Sequence, residues 1–188
     1  MFLHNFAKVL YTLYWKKKFS KIGKHSYIKP FGYFFTGTQY IAIGDNVIIG
    51  GGVQLTAWDI HGKHSFMPTI TIGDGTNLGS NNHISAINEI RIGKNVLTGK
   101  NVLITDNSHG NVSSKELNIP PSKRTLYSKG KVIIEDNVWI GEKATILPNV
   151  RIGKSSIIGA NSVVTKDIPP YCVACGNPAR IIKQFNVE

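Results

Sequence analysis

The carboxyl-terminal half of this sequence repeats an aliphatic residue at every sixth position. From residue 134 the hexads read IEDNVW, IGEKAT, ILPNVR, IGKSSI, IGANSV and VTKDIP. An α-helix has a period of 3.6 residues and a strand a period of two, so neither alone produces a strict period of six. The sequence therefore predicts a repetitive solenoid. The period is set by Ile134, Ile140, Ile146, Ile152, Ile158 and Val164.

Three hexads fit one triangular coil of about 18 residues, with one hexad on each flat face. Such coils stack as parallel strands about 4.8 Å apart, and each coil satisfies the backbone groups of its neighbours. The fifth hexad position is mostly small or β-branched, which suits a corner. The same pattern occupies residues 43–60, 72–91 and 92–109, with a weaker start at Ile22 and Ile28. We therefore expect roughly five regular coils and one imperfect amino-terminal coil.

Two segments interrupt the repeat. The segment from His61 to Thr71 slips the register and carries two histidines, and residues 110–131 show no hexad rhythm. Loops of that length inside a compact domain are usually functional or disordered. We predict an amino-terminal amphipathic helix or cap over 1–20, a β-helix over 21–170 with a loop at about 110–131, and a tail over 171–188 packed at the solenoid end.

The first twenty residues have helical periodicity. An apolar stripe is followed directly by three lysines, Lys16–Lys18. Two interpretations stay open: a helix that caps the open end of the solenoid, or an interfacial helix that contacts an anionic membrane. The stripe consists of Phe2, Phe6, Val9, Leu10 and Leu13.

Composition narrows the possible compartment and partners. The formal charge of +11 suits an anionic ligand or a membrane surface. The basic residues are spread over turns without a recognisable nucleic-acid module, so we expect no nucleic acid. The amino terminus lacks a signal-peptide pattern, no apolar run approaches a membrane span, and only Cys172 and Cys175 occur. These features predict a cytoplasmic protein, peripheral to the inner face of the membrane if the helix binds lipid.

His109 is the strongest candidate for a chemical role. It ends a regular coil, in ITDNSHG, where the long loop begins. An imidazole at such a rim is suited to accept a proton from a hydroxyl or an amine. Asp106 and nearby backbone are candidates to orient it. His61 and His64 could bind a metal with Asp59, but the three do not match a known three-ligand constellation, so we expect no metal. Their segment is interpreted as a loop that contacts the acceptor from a neighbouring subunit or as an inert surface loop.

The hexads, TDNSHG, NVWIG and GANSVVTKDIPPYCVACGNPAR together resemble the hexapeptide-repeat acyltransferases, over about residues 22–185. The nearest resemblance is to the sugar and polysaccharide O-acetyltransferases of the galactoside/maltose and colanic-acid/O-antigen type. The resemblance implies an all-β, left-handed parallel β-helix and a homotrimer with active sites between subunits. It also implies acetyl-coenzyme A as co-substrate and His109 as the general base.

The same resemblance assigns further site residues. The implied cofactor-binding residues are Gly141, Ala160, Thr165, Lys166, Arg180 and Lys183, and the candidates for the acceptor side are Asn81, Asn82, His83 and Asp106.

The sequence departs from the family pattern at two positions. It has Glu142 where a small hydroxyl residue is common, and Gly79 where an asparagine is common.

The leading hypothesis is transfer of acetyl from acetyl-coenzyme A to a sugar hydroxyl, in cell-surface polysaccharide or lipid-linked oligosaccharide biosynthesis. One alternative is acetylation of a small free acceptor such as serine, an amino sugar or an antibiotic. Another is a non-catalytic β-helix that serves as a binding scaffold. The acceptor remains open because loops, and not the repeats, determine which sugar is bound.

Overall fold

Successive hexads turn through three flat parallel sheets that run the length of the molecule. The computed structural model describes residues 2–30, 32–111 and 113–186, with side chains from residue 9 onward, so the side chains of Phe2 and Phe6 lie outside the described residues. The first, second and third faces contain six, eight and six strands. Thr145 pairs with Val163 and Ile146 with Val164, eighteen positions further on, as the hexad count predicts.

Helix α1 (Phe2–Lys16) precedes six coils, each of which contributes one strand to every face. Coil 1 contains β1 (Lys21–Ile22), β2 (Tyr27–Ile28) and β3 (Phe34–Thr36). Coil 2 contains β4 (Ile41–Ile43), β5 (Ile48–Ile49) and β6 (Gln54–Ala57), followed by a hairpin of β7 (Ile60–His61) and β8 (His64–Ser65). Coil 3 contains β9 (Thr69–Ile72), β10 (Asn77–Leu78) and β11 (His83–Ala86).

The remaining coils follow the same order. Coil 4 contains β12 (Glu89–Ile92), β13 (Leu97–Thr98) and β14 (Leu103–Thr105), followed by β15 (Ser108–His109) and β16 (Leu126–Tyr127) of the long loop. Coil 5 contains β17 (Val132–Ile134), β18 (Trp139–Ile140) and β19 (Thr145–Ile146). Coil 6 contains β20 (Arg151–Ile152), β21 (Ile157–Ile158) and β22 (Val163–Val164), and β23 (Cys172–Gly176) and β24 (Ala179–Gln184) form a terminal hairpin.

The repeat positions form the core, as predicted. The first residue of each hexad from Ile134 to Val164 is at most 1% exposed. Aliphatic side chains from successive coils therefore stack along the interior of the prism, where their burial supplies the main folding free energy. The fifth positions are also buried, at the corners: Val138, Ala144, Val150, Ser156 and Ser162.

The corners need residues that tolerate a left-handed backbone. Asn137, Asn149 and Asn161 have φ between 57° and 62°, a region in which asparagine is favoured. Gly141 has a different reason to be glycine, because a Cβ there would lie 2.5 Å from the backbone nitrogen of Ala160 in the next coil. The Gly and Asn residues of the hexads thus permit both tight turning and close stacking.

Both ends of the solenoid are covered. The Thr12 hydroxyl of α1 accepts a hydrogen bond from the Ile28 backbone N–H at 3.0 Å, on the free edge of coil 1. The Trp15 and Phe35 rings pack edge to face with centroids 4.9 Å apart. At the other end, β23 extends the second face and β24 pairs with it antiparallel.

The two interruptions leave the solenoid from the same edge. The β7–β8 hairpin follows β6, and the long loop follows β14, and both of these strands lie on the third face. Each excursion returns to a strand of the first face, β9 or β17. Two coils apart along the edge between the third and first faces, the excursions lie close enough to build a site together.

Candidate active site

The long loop presents His109 on the rim of the prism. Strands β15 and β16 pair antiparallel, which places His109 opposite Leu126, and the Gly110 N–H donates to the Thr125 carbonyl at 3.0 Å. The Ser108 hydroxyl donates to the Gly110 carbonyl at 2.9 Å. His109 is exposed. Its imidazole therefore stands outside the hydrophobic core on a backbone that is fixed on both sides.

A cleft of about 730 Å³ opens at the loop segment that contains this histidine, and its lining includes the residues on either side of His109 but not His109 itself. Ser108 and Gly110 line it on the loop side, and Thr165 lines it on the solenoid side. A cleft of this volume lies within the range of small-molecule and cofactor sites. Its lining also includes Asn107, Asn111, Ser113, Tyr127, Lys129, Leu147 and Pro148.

A second cavity, of about 370 Å³, lies between the two excursions. Phe66 and Met67 line it from the segment after the hairpin, and Leu126 and Tyr127 line it from the long loop. Tyr127 borders both cavities. The long loop thus separates the two cavities, with the 730 Å³ cleft on one side and the smaller, mostly apolar 370 Å³ cavity on the other.

The hairpin brings a second imidazole to His109. The His61 and His109 ring centroids lie 5.7 Å apart with an interplanar angle of 72°, an edge-to-face arrangement. Sequence reasoning missed this contact, although the sequence carried a signal for the hairpin itself. Gly62 and Lys63 form a two-residue hairpin loop, and Gly62 has φ 61°, as the first central residue of a type II′ turn requires.

Asp106 does not offer its carboxylate to an acceptor, contrary to the prediction. It is 0% exposed, and its two oxygens accept the backbone N–H groups of Ile87 and Asn88, each at 2.9 Å. Burial raises the pKa of the Asp106 carboxyl, and these hydrogen bonds oppose the increase. Asp106 therefore braces the corner between coils 3 and 4 beneath the site.

Asn82 is a second correction. It is 0% exposed, its amide nitrogen donates to the Thr98 hydroxyl, and its amide oxygen accepts the Val102 N–H at 2.8 Å. Both halves of the amide are thus used inside the solenoid. The neighbouring Asn81 is exposed at the corner, with φ 59°.

His83 lies on the outer surface of the third face. It is partly buried, and its Nε2 lies 3.3 Å from the Thr56 hydroxyl. Burial lowers the pKa of this imidazole. Asn81 and His83 remain candidates for the acceptor side. They lie near the edge between the second and third faces, away from the edge that holds His109.

The predicted cofactor residues divide between two edges. Gly141 and Ala160 stack at the corner between the second and third faces. A Cβ on Gly159 would lie 2.7 Å from the Cys175 Cβ, and Cys175 pairs with Arg180, so Arg180 continues this corner towards the terminal hairpin.

The other predicted cofactor residues lie elsewhere in the fold. Thr165 and Lys166 follow β22 on the edge that carries the His109 cleft. Lys183 pairs with Val173 on the second face, and its Nζ lies 4.6 Å from the centroid of the Phe185 ring. Apart from Lys183 on the second face, one chain therefore presents the predicted cofactor residues as separate groups on opposite edges of the third face.

The described residues contain neither a cluster of metal-ligating side chains nor a helix that could span a membrane. Among residues 2–30, 32–111 and 113–186, no group of three or more His, Cys, Asp or Glu side chains is arranged to hold a metal ion. Within the same ranges, no helix has the length and apolarity needed to cross a bilayer. Cys172 and Cys175 are both free thiols.

Comparison with known proteins identifies the repeat. The profile described as bacterial transferase hexapeptide (six repeats) matches residues 131–166, and that of the hexapeptide repeat of succinyl-transferase matches residues 41–57. The putative lipopolysaccharide biosynthesis O-acetyl transferase WbbJ of Escherichia coli (strain K12) is 38% identical over 79% of this chain and 74% of its own length. The galactoside O-acetyltransferase of Lactococcus lactis subsp. lactis (strain IL1403) is 36% identical over 91% of this chain and 66% of its own length.

Solved structures share the fold. The maltose O-acetyltransferase from Clostridium difficile 630 is 28% identical, with a TM-score of 0.61 over 92% of this chain and 73% of that chain. AntD, an N-acyltransferase from Bacillus cereus in complex with dTDP and 3-hydroxybutyryl-CoA, is 22% identical. Its TM-score is 0.74 over 91% of this chain and 86% of that chain, a likeness of fold alone.

Proposed function

Because this chain belongs to the hexapeptide-repeat acyltransferases, which fold as left-handed parallel β-helices, we propose that it transfers an acetyl group from acetyl-coenzyme A to a sugar hydroxyl. The left hand of the solenoid is an exception to the usual right-handed parallel crossover. Enzymes named for O-acetylation of lipopolysaccharide, galactoside and maltose are among the similar proteins, and they support a sugar acceptor. The lipopolysaccharide relative favours a role in surface polysaccharide or lipid-linked oligosaccharide synthesis.

The observation that carries the mechanism is the exposed imidazole of His109, on a rim segment whose flanking residues Ser108 and Gly110 line the 730 Å³ cleft. His109 takes the proton of the acceptor hydroxyl while that oxygen attacks the thioester carbonyl. The new carbon–oxygen bond forms, the carbon–sulfur bond breaks, and the proton passes to the departing thiolate of coenzyme A. A positioned general base of this kind typically contributes about 10²–10⁴-fold to the rate.

The division of the cofactor residues supports a site shared between copies of the chain. Gly141 and Ala160 lie on one edge of the third face, and Thr165 lies with the His109 cleft on the other. We expect the edge of one copy to face the opposite edge of the next, so that coenzyme A lies between them in a homotrimer. Basic residues of both edges, Lys166 and Arg180, then face the phosphates.

The second face supplies an apolar surface for such contacts. Its outward side chains include Leu97, which is 47% exposed, Trp139, which is 52% exposed, and Ile157. The first face instead carries charged pairs such as Arg91 with Glu89, at 2.7 Å. Exposed aromatic and aliphatic side chains favour the second face as the oligomer contact.

The exposed side of α1 supports contact with an anionic membrane from the cytoplasm. Val9, Leu10, Leu13 and Tyr14 are each more than half exposed, and Lys16–Lys18 follow them. Apolar and basic groups in this order suit an interfacial helix. Co-sedimentation with phosphatidylglycerol vesicles at low salt tests this, and absence from the pellet at both low and high salt would refute it.

The proposed activity is tested by release of coenzyme A thiol from acetyl-coenzyme A, with methyl β-galactoside or maltose as acceptor. We expect His109→Ala to lower the rate at least about a hundredfold while coenzyme A binding persists, and His64→Ala to leave it near the wild-type value. Equal rates for wild type and His109→Ala would remove His109 from the mechanism. Coenzyme A binding without any thiol release by the wild type would instead favour a non-catalytic scaffold.

A further inference from the structure

We propose that His61, at the end of strand β7, is a positioning residue for His109. This inference rests on the proposed function, in which His109 is the general base. The contact between the two imidazole rings joins residues from different excursions of the chain, with centroids 5.7 Å apart and an angle of 72° between the ring planes. The two excursions therefore meet at the histidine that the proposed mechanism uses.

Asp106, the side chain that the sequence offered to orient His109, makes its hydrogen bonds to other groups. The Asp106 carboxylate accepts the N–H groups of Ile87 and Asn88 and is 0% exposed. The pairing of β15 with β16 fixes the His109 backbone but leaves its χ angles free to rotate. The His61 ring is the one aromatic neighbour of His109 within the described part of the chain. The His61 ring therefore restricts the χ rotation of His109, which the backbone pairing leaves unrestricted.

The hairpin is built to hold its histidine in place. The register pairs His61 with His64 and Ile60 with Ser65. The Phe66 N–H donates to the Asp59 carbonyl at 2.7 Å, and the Tyr40 hydroxyl donates to the Asp59 carboxylate at 3.1 Å. The first bond closes the base of the hairpin, and the second ties that base to the solenoid at Tyr40.

A ring held at the edge of another ring limits the orientations that the second ring can adopt. Edge-to-face ring pairs favour centroid separations of about 4.5–7 Å, and this pair lies within that range. An imidazole that is held ready for proton transfer loses less orientational freedom in the transition state than a freely rotating one. His61 thus acts on the rate through His109, without touching the reacting atoms.

The test compares His61→Ala, His61→Phe and His64→Ala in the complete chain. His64 is the matched control, because it lies opposite His61 in the same hairpin and is more exposed. The probe is acetyl-coenzyme A alone, with water as the slow acceptor, and then with methyl β-galactoside. We expect His61→Ala to lower kcat about threefold to tenfold with the KM for acetyl-coenzyme A unchanged. His61→Phe, which keeps an edge-to-face ring, should restore most of the loss, and His64→Ala should change neither constant.

A double-mutant cycle separates action through His109 from an independent effect. In a His109→Ala background, adding His61→Ala should cause no further loss, because the group that it orients is gone. A full additional loss there, or a kcat for His61→Ala equal to that of His64→Ala, would overturn the proposal while leaving the proposed function intact. Unchanged activity in His109→Ala would remove His109 from the mechanism and would overturn the proposal with it, whereas absence of thiol release by the wild type would refute the proposed function. Equal melting temperatures for His61→Ala and His64→Ala would exclude misfolding of the hairpin as the cause.

Discussion

At the scale of single residues, the hexad position decides which polar side chains can take part in chemistry. Asn81 and Asn82 are adjacent, yet one is exposed at a corner and the other is fully buried. Asn82 occupies the fifth position of its hexad, which the repeat itself marks as interior. The repeat that predicts the core therefore also predicts that Asn82 is buried, and not available to an acceptor. Asp106 differs, because the repeat does not mark its hexad position as interior, and its carboxylate is buried where it accepts the backbone N–H groups of Ile87 and Asn88.

His83 should make stability depend on pH. Burial lowers its pKa in the folded chain below the ordinary value of about 6.5, so the unfolded chain binds more protons just below that pH. Stability due to the neutral ring is fully present above about pH 6.5 and is lost as pH falls towards the folded pKa.

Chemical denaturation at fixed protein concentration, between about pH 5 and 8, measures this dependence. We expect His83→Gln to flatten the acid side of the profile, because glutamine keeps a polar group near Thr56 but does not titrate. His64→Gln, an exposed change on the hairpin, is the control and should leave the profile as it is. A profile for His83→Gln that follows the wild type would contradict the assignment.

At the scale of elements, the sequence predicts the coils far better than the excursions. The strands follow from a local period, which stacks Ile134, Ile152 and their equivalents regardless of what lies elsewhere. The contact of His61 with His109 joins residues 48 positions apart and depends on the number of coils between two insertions. No local pattern encodes that distance. For the same reason the sequence could indicate a site near His109 but not the second histidine that packs against it.

The corners offer a test of how the turns are selected. Lys143 has φ 59°, at a corner position where other coils have asparagine or glycine. A left-handed conformation costs a residue with a Cβ roughly 1–2 kcal/mol, a cost that glycine avoids. We expect Lys143→Gly to raise the free energy of unfolding by about 0.5–1 kcal/mol, measured by urea denaturation.

Lys100→Gly is the matched control, since Lys100 precedes the left-handed Asn101 in a neighbouring coil and is not itself left-handed. The same Lys→Gly change there has no strain to relieve and adds flexibility to the unfolded chain. We expect it to be neutral or destabilising by up to about 1 kcal/mol. Equal effects of the two changes would show that backbone strain does not select the corner residues.

At the scale of the whole molecule, the three faces have different surfaces. The first face is charged, the second is apolar on its outer side, and the third separates the His109 edge from the Gly141–Ala160 edge. A single prism can present these two edges but cannot fold them towards each other, because the stacked strands between them are rigid. Rotational symmetry can bring them together, since it places one edge of each copy against the other edge of its neighbour.

Mixing two inactive variants tests whether the site is shared. His109→Ala removes the base on one edge, and Ala160→Glu places a carboxylate and added volume against the anionic cofactor on the other. Suppose that each site combines the His109 edge of one copy with the Ala160 edge of the next. A complete site then needs an Ala160→Glu chain, which keeps His109, beside a His109→Ala chain, which keeps Ala160. Unfolding and reassembling the two variants in equal amounts should then restore about a quarter of the wild-type thiol release, because each edge is intact in half of the chains.

The mixture also has an outcome that excludes sharing. If one chain contains the whole site, every chain in the mixture carries one defect and the activity stays at the level of the separate variants. Light scattering of each variant alone must give the wild-type mass, so that a lack of recovery does not reflect a lack of assembly. Recovery near a quarter, with both parents inactive, would assign the Ala160 and His109 edges of one site to neighbouring copies, in keeping with their positions on opposite edges of the third face.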